Sequence, residues 1–358
     1  MKSLTYLLLF ILFTTPITSQ EPNADDVRNA YDSFLSKFKT GGGEDGFILT
    51  HVGGFWQAIE TIEVLIDAYE RFKDDSSKNQ MIEIAESWLN SKGDNWEWNS
   101  YNDDIMWGCI MFSRLYLNTK DEKYLNIAKN NFKMVWDRAW TNDYDGGLLW
   151  FKGKTEKNAC VNGPGAVAAC LLAIATGDNS YYDKAKDIIN WMNKKIVQDD
   201  GSVWDKIDWD SQKNEYFYGT WVSTYNQGTY IGANVMLYQY TNDQAYLDMA
   251  HKGARRATRI EGILNGEDNG GDLVGFKGIL ARWLGKMVRE LNINDYNEWI
   301  HNNLQAVWVN RNSDNLMWTK FGAKTDENLE HSEDWSKREE CAWGCSSALS
   351  WVINFAGL

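Results

Sequence analysis

The sequence of 358 residues contains only three prolines, and two of them, Pro16 and Pro22, lie close to the N-terminus. Proline breaks helices, whereas glycine often follows the end of a helix. A chain with 29 glycines and a single later proline, Pro164, therefore favours long helices joined by glycine-rich loops. The scarcity of proline predicts a mainly helical protein.

Positive charge is also scarce. The chain has 36 lysines and arginines against 50 aspartates and glutamates, a formal net charge of −14, and no lysine- or arginine-rich run. Such a chain is repelled by nucleic acid and by anionic membranes, so we exclude nucleic acid and stable membrane insertion. The abundance of apolar and aromatic residues, including 19 tryptophans, excludes intrinsic disorder.

Metal-binding and cofactor-binding patterns are missing. The four histidines, His51, His251, His301 and His331, are far apart, and no Cys-x-x-Cys occurs. The sequence also lacks a phosphate-binding glycine loop followed by Lys-Ser/Thr and a Gly-x-Ser-x-Gly nucleophile motif. We therefore expect neither a metal nor another cofactor.

The first twenty residues have the pattern of a secretory signal sequence. Lys2 supplies a positive charge, an apolar run covers residues 4–13, and small and polar residues follow up to Gln20. We expect removal of residues 1–20 and a soluble, monomeric protein outside the cell or in the periplasm, with residues 21–358 as one domain. Export permits disulfides, but five cysteines, mostly in apolar stretches, favour buried free thiols.

Apolar residues recur at helical spacing along most of the chain. Residues 55–71 and 121–137 carry one apolar stripe each, as amphipathic helices do, whereas 105–116 and 166–175 are apolar on almost every side and too short to span a bilayer. The pattern predicts twelve helices, at 24–38, 55–72, 77–91, 103–118, 121–138, 162–175, 180–197, 225–240, 243–261, 276–290, 294–309 and 339–355.

Short polar turns follow the buried helices, and longer loops with glycine and tryptophan follow the amphipathic ones, with a period of roughly 50 to 65 residues. This alternation predicts an all-α fold, an (α/α)6 barrel of six inner helices inside six outer ones. An open superhelix is disfavoured because the apolar runs need protein on all sides. In the barrel, the long loops and the N-termini of the inner helices meet at one mouth, where we expect a functional site.

Two adjacent carboxylates are predicted at this mouth. Asp103 and Asp104 begin a buried helix and have Trp98, Tyr101 and Trp107 close by in sequence. Helix capping is the structural alternative, because Asp-Asp also occurs elsewhere. Those other pairs lie at residues 25–26, 74–75 and 199–200. In an aromatic cavity, however, two carboxylates titrate as a coupled pair, one ionised and one with a raised pKa, as glycoside hydrolysis requires.

Tryptophans are concentrated in or beside the predicted long loops. A flat indole suits the C–H face of a sugar ring, although about half of these rings are expected to cover small cores under the loops instead. The nine concerned are Trp96, Trp98, Trp140, Trp150, Trp204, Trp209, Trp221, Trp318 and Trp335.

Four stretches of the chain resemble glycoside hydrolase family 76, the endo-α-1,6-mannanases. They are DDIMWGCIMF at 103–112, GGLLWFKGKTEKNACVNGPGAVAA at 146–169, WVSTYNQGTYIGANVMLY at 221–238 and GDLVGFKGILARWL at 271–284, in the order found in the family. The resemblance implies an (α/α)6 barrel and a retaining hydrolase that cleaves inside α-1,6-linked mannan. It also implies that Asp103 is the nucleophile and Asp104 the general acid/base.

The same mouth and the same resemblance suggest a set of substrate contacts. These are Trp56, Trp98, Trp150, Asn162, Asp205, Tyr225, Asn226, Gln227, Phe276 and Lys277. For Lys277 and Arg282, a structural ion pair with a carboxylate of a neighbouring helix is an equal alternative. Two other functions stay open: transfer of mannan to a sugar acceptor through the same covalent intermediate, and glycan binding without catalysis.

Overall fold

The computed structural model describes residues 21–42, 46–259, 262–331 and 338–358. The predicted signal sequence, Trp335 and the last two residues of the helix predicted at 243–261 lie outside the described residues. All five cysteines are described, and they are buried free thiols, as the sequence predicted.

The described residues form twelve α-helices. The inner six are α2 (Phe55–Phe72), α4 (Asn102–Thr119), α6 (Ala159–Thr176), α8 (Thr224–Thr241), α10 (Phe276–Glu290) and α12 (Cys341–Phe355). The outer six are α1 (Ala24–Phe38), α3 (Asp75–Lys92), α5 (Glu122–Ala139), α7 (Ser180–Lys195), α9 (Gln244–Ala257) and α11 (Asn297–Val309).

Each inner helix packs against the next, and α12 packs against α2, so the inner ring closes. The outer helices pack around this ring, which confirms the predicted (α/α)6 barrel. Among the described residues, α6 is long and apolar enough to cross a membrane, but 83% of its apolar window is buried inside the protein. This burial explains why α6 is apolar on every side: it has protein, not water, all around it.

Helix α6 begins three residues earlier than predicted, at Ala159. The polar residue Asn162 and the proline Pro164 suggested a later start, but both lie inside the helix. Proline has no N–H, so the carbonyl group of Cys160 loses its helical hydrogen bond at this point. The early start places Cys160 in the first turn of an inner helix.

Short strands occur in the loops that precede inner helices, and the sequence did not predict them. The strands β1 (Lys39–Gly41) and β2 (Phe47–Leu49) are antiparallel. A second sheet has the order β3 (Lys157–Asn158), β4 (Lys206–Asp210) and β5 (Glu215–Gly219). Strand β3 leads directly into α6, so this sheet connects the long 196–223 loop to the start of an inner helix.

Helix α2 has an apolar stripe, yet its polar residues also lie inside the barrel. Glu60, Glu63 and Asp67 are buried and meet two buried arginines of other inner helices. Arg114 of α4 donates to Glu63 (2.8 Å) and Asp67 (2.7 Å). Arg282 of α10 donates to Glu60 (2.6 Å) and Asp67 (3.0 Å). The structural ion pair considered for Arg282 is therefore confirmed.

The charge state of this network follows from burial and from the arginines. Burial raises the pKa of Glu60 to about 7, although Arg282 acts in the opposite direction. Burial also opposes the ionisation of Asp67, but Arg282 and Arg114 together outweigh it and lower the pKa of Asp67. Asp67 is thus the fixed anion that joins α2, α4 and α10.

Removing one arginine should destabilise the barrel strongly. We expect Arg114→Met to lower the free energy of unfolding by about 3 kcal/mol or more, because Glu63 and Asp67 would lose a buried partner. Urea unfolding followed by circular dichroism measures this change. The control is Lys133→Met, which removes an exposed ion pair with Asp137 and should cost less than about 1 kcal/mol. An equal effect of both variants would contradict a structural role for the network.

Candidate active site

The first turns of the inner helices meet at one end of the barrel, which we call the mouth. In the six described inner helices, the side chain of the N-cap residue does not cap the helix. These N-cap residues are Gly54, Tyr101, Asn158, Ser223, Gly275 and Glu340. Four outer helices, in contrast, have capping side chains: Asn23, Asp74, Asp121 and Asp243. Helix N-termini with uncapped N–H groups thus meet at the mouth, and these N–H groups favour a negatively charged group there.

Asp103 and Asp104 lie in the first turn of α4, at this mouth. Of the four Asp-Asp pairs, the others have structural roles. Asp26 completes the capping box of α1, and Asp74 caps α3. Asp200 accepts a hydrogen bond from Arg259 (3.1 Å). The capping alternative therefore holds for the pairs at 25–26 and 74–75, and Asp200 pairs with an arginine instead, whereas no side chain caps α4.

The carboxyl group of Asp103 is largely enclosed. Its Oδ1 atom is buried and has no hydrogen-bond partner among the described residues. Burial and, to a lesser extent, the charge of Asp104 raise the pKa of Asp103 to about 8, while hydrogen bonds with the Trp150 indole and the Cys160 thiol oppose the shift. The thiol in turn hydrogen-bonds with the Tyr225 hydroxyl. Side chains from the 146–158 loop, α6 and α8 thus surround one carboxyl group of α4.

Asp104 is held by its own polar partner. The Asn99 amide donates to Oδ2 of Asp104 (2.9 Å), and the backbone carbonyl of Asn99 accepts from Arg138 (2.8 Å). Burial raises the pKa of Asp104 to about 6; the Asn99 hydrogen bond lowers it, and the charge of Asp272 raises it. Asn99 therefore orients Asp104 from the loop that precedes α4.

The two carboxyl groups behave as one titrating pair. Both pKa values are raised, so the pair keeps a proton above the pH at which an exposed aspartate has lost its own. One carboxyl group of the pair can therefore stay neutral while the other is ionised.

Aromatic rings from several inner helices form the floor of the mouth. The centre is Trp56, whose ring lies 5.2 Å from Trp343, 5.9 Å from Trp107 and 6.0 Å from Phe276, measured between centroids. Tyr225 stacks on Phe276 at 3.9 Å. Trp107, Trp343, Phe276 and Tyr225 are mostly buried, whereas Trp56 is half-buried and faces the opening. We call these five residues the aromatic floor.

Three other predicted contacts lie around this floor. Trp150 is half-buried and hydrogen-bonds with Asp103. Trp98 is 61% exposed, and its ring packs on Phe55, the first residue of α2 (5.6 Å). Asp205 is half-buried and close enough to Tyr225 for its charge to raise the pKa of that phenol, which burial raises most. All three therefore border the mouth.

Three predicted substrate contacts have buried structural partners instead. Asn162 exchanges hydrogen bonds with the backbone of Leu148 (2.8 and 3.1 Å). Gln227 accepts from the backbone of Val203 (2.6 Å). Lys277 donates to the carbonyl of Thr319 (2.7 Å), and burial lowers its pKa to about 8. Because these side chains are 2% exposed or less, the prediction that they contact substrate does not fit the structure; they hold loops around the mouth.

Asn226 differs from these three. It is fully buried, but neither its amide oxygen nor its amide nitrogen has a hydrogen-bond partner among the described residues. It lies next to Tyr225 in the first turn of α8. Its contact with substrate stays a prediction.

The loop tryptophans divide as expected between cores and surface. Trp96 and Trp318 are buried, and Trp140, Trp150 and Trp204 are half-buried, whereas Trp98, Trp209 and Trp221 are exposed. Asn99, Cys160, Asp272 and Trp343 are mouth residues that the sequence analysis did not select. Asn99 and Cys160 lie close to recognised motifs, and Asp272 and Trp343 lie near the starts of predicted inner helices, but nothing in the sequence shows that the last two side chains meet Trp56.

A carboxylate pair above an aromatic floor in an (α/α)6 barrel is an arrangement suited to glycoside hydrolysis. The model of glycosyl hydrolase family 76 matches residues 23–344. The chain therefore belongs to glycosyl hydrolase family 76.

The chain is similar to fungal proteins named mannan endo-1,6-α-mannosidases. It is 25% identical over 278 residues to a putative mannan endo-1,6-α-mannosidase of Schizosaccharomyces pombe, and the matched region covers 66% of this chain and 59% of that protein. It is 26% identical over 264 residues to a mannan endo-1,6-α-mannosidase of Candida glabrata, covering 64% of this chain and 57% of that protein. The chain thus spans less than two thirds of these relatives.

Solved bacterial structures match over most of the chain. The α-1,6-mannanase of Salegentibacter sp. HEL1_6 is 27% identical, with a TM-score of 0.79 over 92% of this chain and 98% of that chain. An inactive variant of that enzyme, with two consecutive aspartates changed to asparagine, is solved with α-1,6-mannotriose. A protein of Listeria innocua matches with a TM-score of 0.78 at 27% identity, over 91% of this chain and 96% of that chain.

The raised pKa of Asp103 predicts a pH-dependent cost in stability. The folded protein binds this proton more tightly than the unfolded chain, so its stability falls as pH rises from the ordinary value of 3.8 towards about 8. Asp103→Asn removes this penalty. At pH 8 we expect the variant to be more stable than wild type, by on the order of 2 kcal/mol, with little difference at pH 4.

Thermal unfolding at the two pH values measures this effect. The control is Asp199→Asn, which changes a fully exposed carboxylate of another Asp-Asp pair. A stabilisation by Asp103→Asn that is the same at pH 4 and pH 8 would exclude proton binding as its cause.

Proposed function

We propose that this protein is a retaining endo-α-1,6-mannanase, which hydrolyses α-1,6-mannosidic bonds inside mannan backbones. The observation that carries the proposal is the Asp103–Asp104 pair beside the aromatic floor. The floor offers Trp56 as a platform for the C–H face of a mannosyl residue, and the pair supplies the two carboxyl groups that retaining hydrolysis uses.

The comparisons support the substrate and the catalytic pair. The Salegentibacter relative is an α-1,6-mannanase, and its inactive variant changes two consecutive aspartates. Of the four Asp-Asp pairs in this chain, Asp103–Asp104 is the one in the first turn of an inner helix. The absence of an excess of positive charge also suits an uncharged glycan.

The proposed reaction has two steps. Asp103 attacks the anomeric carbon, while Asp104 donates its proton to the leaving glycosidic oxygen; this step forms a covalent mannosyl-enzyme and releases the reducing-end part of the chain. Asp104, now ionised, then takes a proton from water, which attacks the same carbon and releases Asp103. Two inversions give net retention of the anomeric configuration. Asn99 keeps Asp104 directed at the leaving oxygen.

Azide rescue distinguishes the roles of the two aspartates. Replacement of either residue by alanine should lower hydrolysis of linear α-1,6-mannan at least about a thousandfold. With an activated aryl α-mannoside, azide replaces the missing group. We expect β-mannosyl azide from Asp103→Ala and α-mannosyl azide from Asp104→Ala, identified by NMR.

Asp199→Ala is the control for these variants and should hydrolyse mannan at the wild-type rate. Reducing-end release measures that rate. The nucleophile assignment would be wrong if Asp103→Ala stayed active or gave the α-azide. Tight binding of mannotetraose by wild type without any product would instead favour the non-catalytic alternative.

The acceptor of the intermediate is tested separately. We expect products that are shorter than the substrate, whose first-formed reducing sugars have the α configuration in ¹H NMR spectra. Mass spectrometry of an α-1,6-mannotetraose digest detects transfer, because transfer to sugar gives products longer than four residues. If long products predominate, the proposed function changes from hydrolysis to transglycosylation, the alternative that shares the same covalent intermediate.

Secretion after loss of residues 1–20 and a monomeric state also stay predictions.

A further inference from the structure

Asp272 lies in a short 3-10 turn, Gly271–Gly275, directly before α10. Its Oδ1 atom accepts two hydrogen bonds from consecutive residues of α2. The Trp56 indole donates at 3.1 Å and the Gln57 amide at 2.6 Å. One oxygen of this carboxylate therefore fixes the ring at the centre of the aromatic floor.

The turn that carries Asp272 is itself held by α12. The Trp343 indole donates to the backbone carbonyl of Asp272 (3.2 Å), and Glu340 accepts from the backbone N–H of Gly271. Gly275 packs so closely on Trp343 that an added Cβ atom would lie 1.7 Å from the ring. The position of the Asp272 carboxylate is thus set before any substrate arrives.

The second oxygen of Asp272 is available. Among the described residues, no group donates a hydrogen bond to Oδ2, and the side chain is exposed at the mouth. Asp272 is also close enough to Asp104 for its charge to act on that carboxyl group. The mouth therefore contains another carboxylate close to the pair, with one oxygen committed to Trp56 and Gln57 and the other open.

We propose that Asp272 positions Trp56 through Oδ1 and binds substrate through Oδ2, which accepts a hydrogen bond from a hydroxyl of the mannosyl residue on that ring. The inference rests on the proposed function. A carboxylate is a strong acceptor for a hydroxyl donor. Because the same carboxylate holds Trp56, it fixes the ring that contacts the face of the sugar relative to the oxygen that binds a hydroxyl at its edge. The charge of Asp272 also disfavours anionic sugars on this ring, so the site favours uncharged glycans.

The test compares Asp272→Asn with Asp268→Asn, a carboxylate in the same loop that acts on Lys277 instead of the site. An asparagine still accepts from Trp56 and Gln57, but it loses the charge and presents an amide donor in place of Oδ2. We expect KM for α-1,6-mannotetraose to rise about tenfold in Asp272→Asn, with a smaller change in kcat. Asp268→Asn should match wild type.

The pH profile separates substrate binding from a purely structural role. The charged groups around Asp104 are Asp103 on its own helix and Asp272 on the turn, and Glu340 of α12 faces Asp272. Removing the charge of Asp272 favours ionisation of Asp104. The alkaline limb of kcat/KM should therefore move to lower pH in Asp272→Asn, and it should not move in Asp268→Asn.

If Asp272→Asn does not fold, Asp272→Glu takes its place, because it keeps the charge and displaces both oxygens. Its KM should rise while the alkaline limb stays in place. Only the inference would be overturned if wild type is active and Asp272→Asn folds but matches Asp268→Asn in KM and pH profile. A wild type that neither cleaves nor binds α-1,6-mannotetraose would overturn the proposed function, and the inference with it.

Discussion

The pairing of Asp67 with Arg114 and Arg282 is the constraint on which the site depends. Trp56, Glu60, Glu63 and Asp67 follow one another at spacings of four, three and four residues, so they share one face of α2. The arginines fix the rotation of α2 by holding the lower part of this face inside the barrel. Trp56 must then face the centre of the mouth, where Asp272 can accept its indole N–H. A charge network in the barrel interior thus orients the proposed sugar platform.

The mouth combines features that each reduce stability. Inner helices begin without capping side chains, two neighbouring carboxyl groups are buried together, and Oδ1 of Asp103 has no partner among the described residues. Four of the outer helices, whose N-termini lie away from the mouth, have the caps that the inner ones lack. The ring of packed helices supplies the stability that holds these groups in place. Desolvated and uncapped polar groups are thus concentrated at the mouth.

Much of the architecture could be predicted because it is written in local patterns. Helical periodicity and the scarcity of proline predicted twelve helices with few boundary errors, and apolar runs such as 166–175 marked inner helices. Asp103 and Asp104 were selected because a charged pair at the start of an apolar helix is unusual. The same reasoning failed for Asn162, Gln227 and Lys277. A polar residue at the start of an inner helix can face the opening or a neighbouring loop, and the sequence does not distinguish the two directions.

The sequence by itself determined the helices, their alternation, the family and the catalytic candidates, because these depend on residues that are close together in the chain. Only the tertiary structure decided which distant residues meet. Asn99 and Asp104 are five residues apart, but Asp272 is 215 residues from Gln57 and 216 from Trp56, and these contacts exist only because the ring closes. Burial and the charges of neighbours then raise the pKa values of Asp103 and Asp104, since desolvation is a property of the assembled mouth and not of the two residues alone.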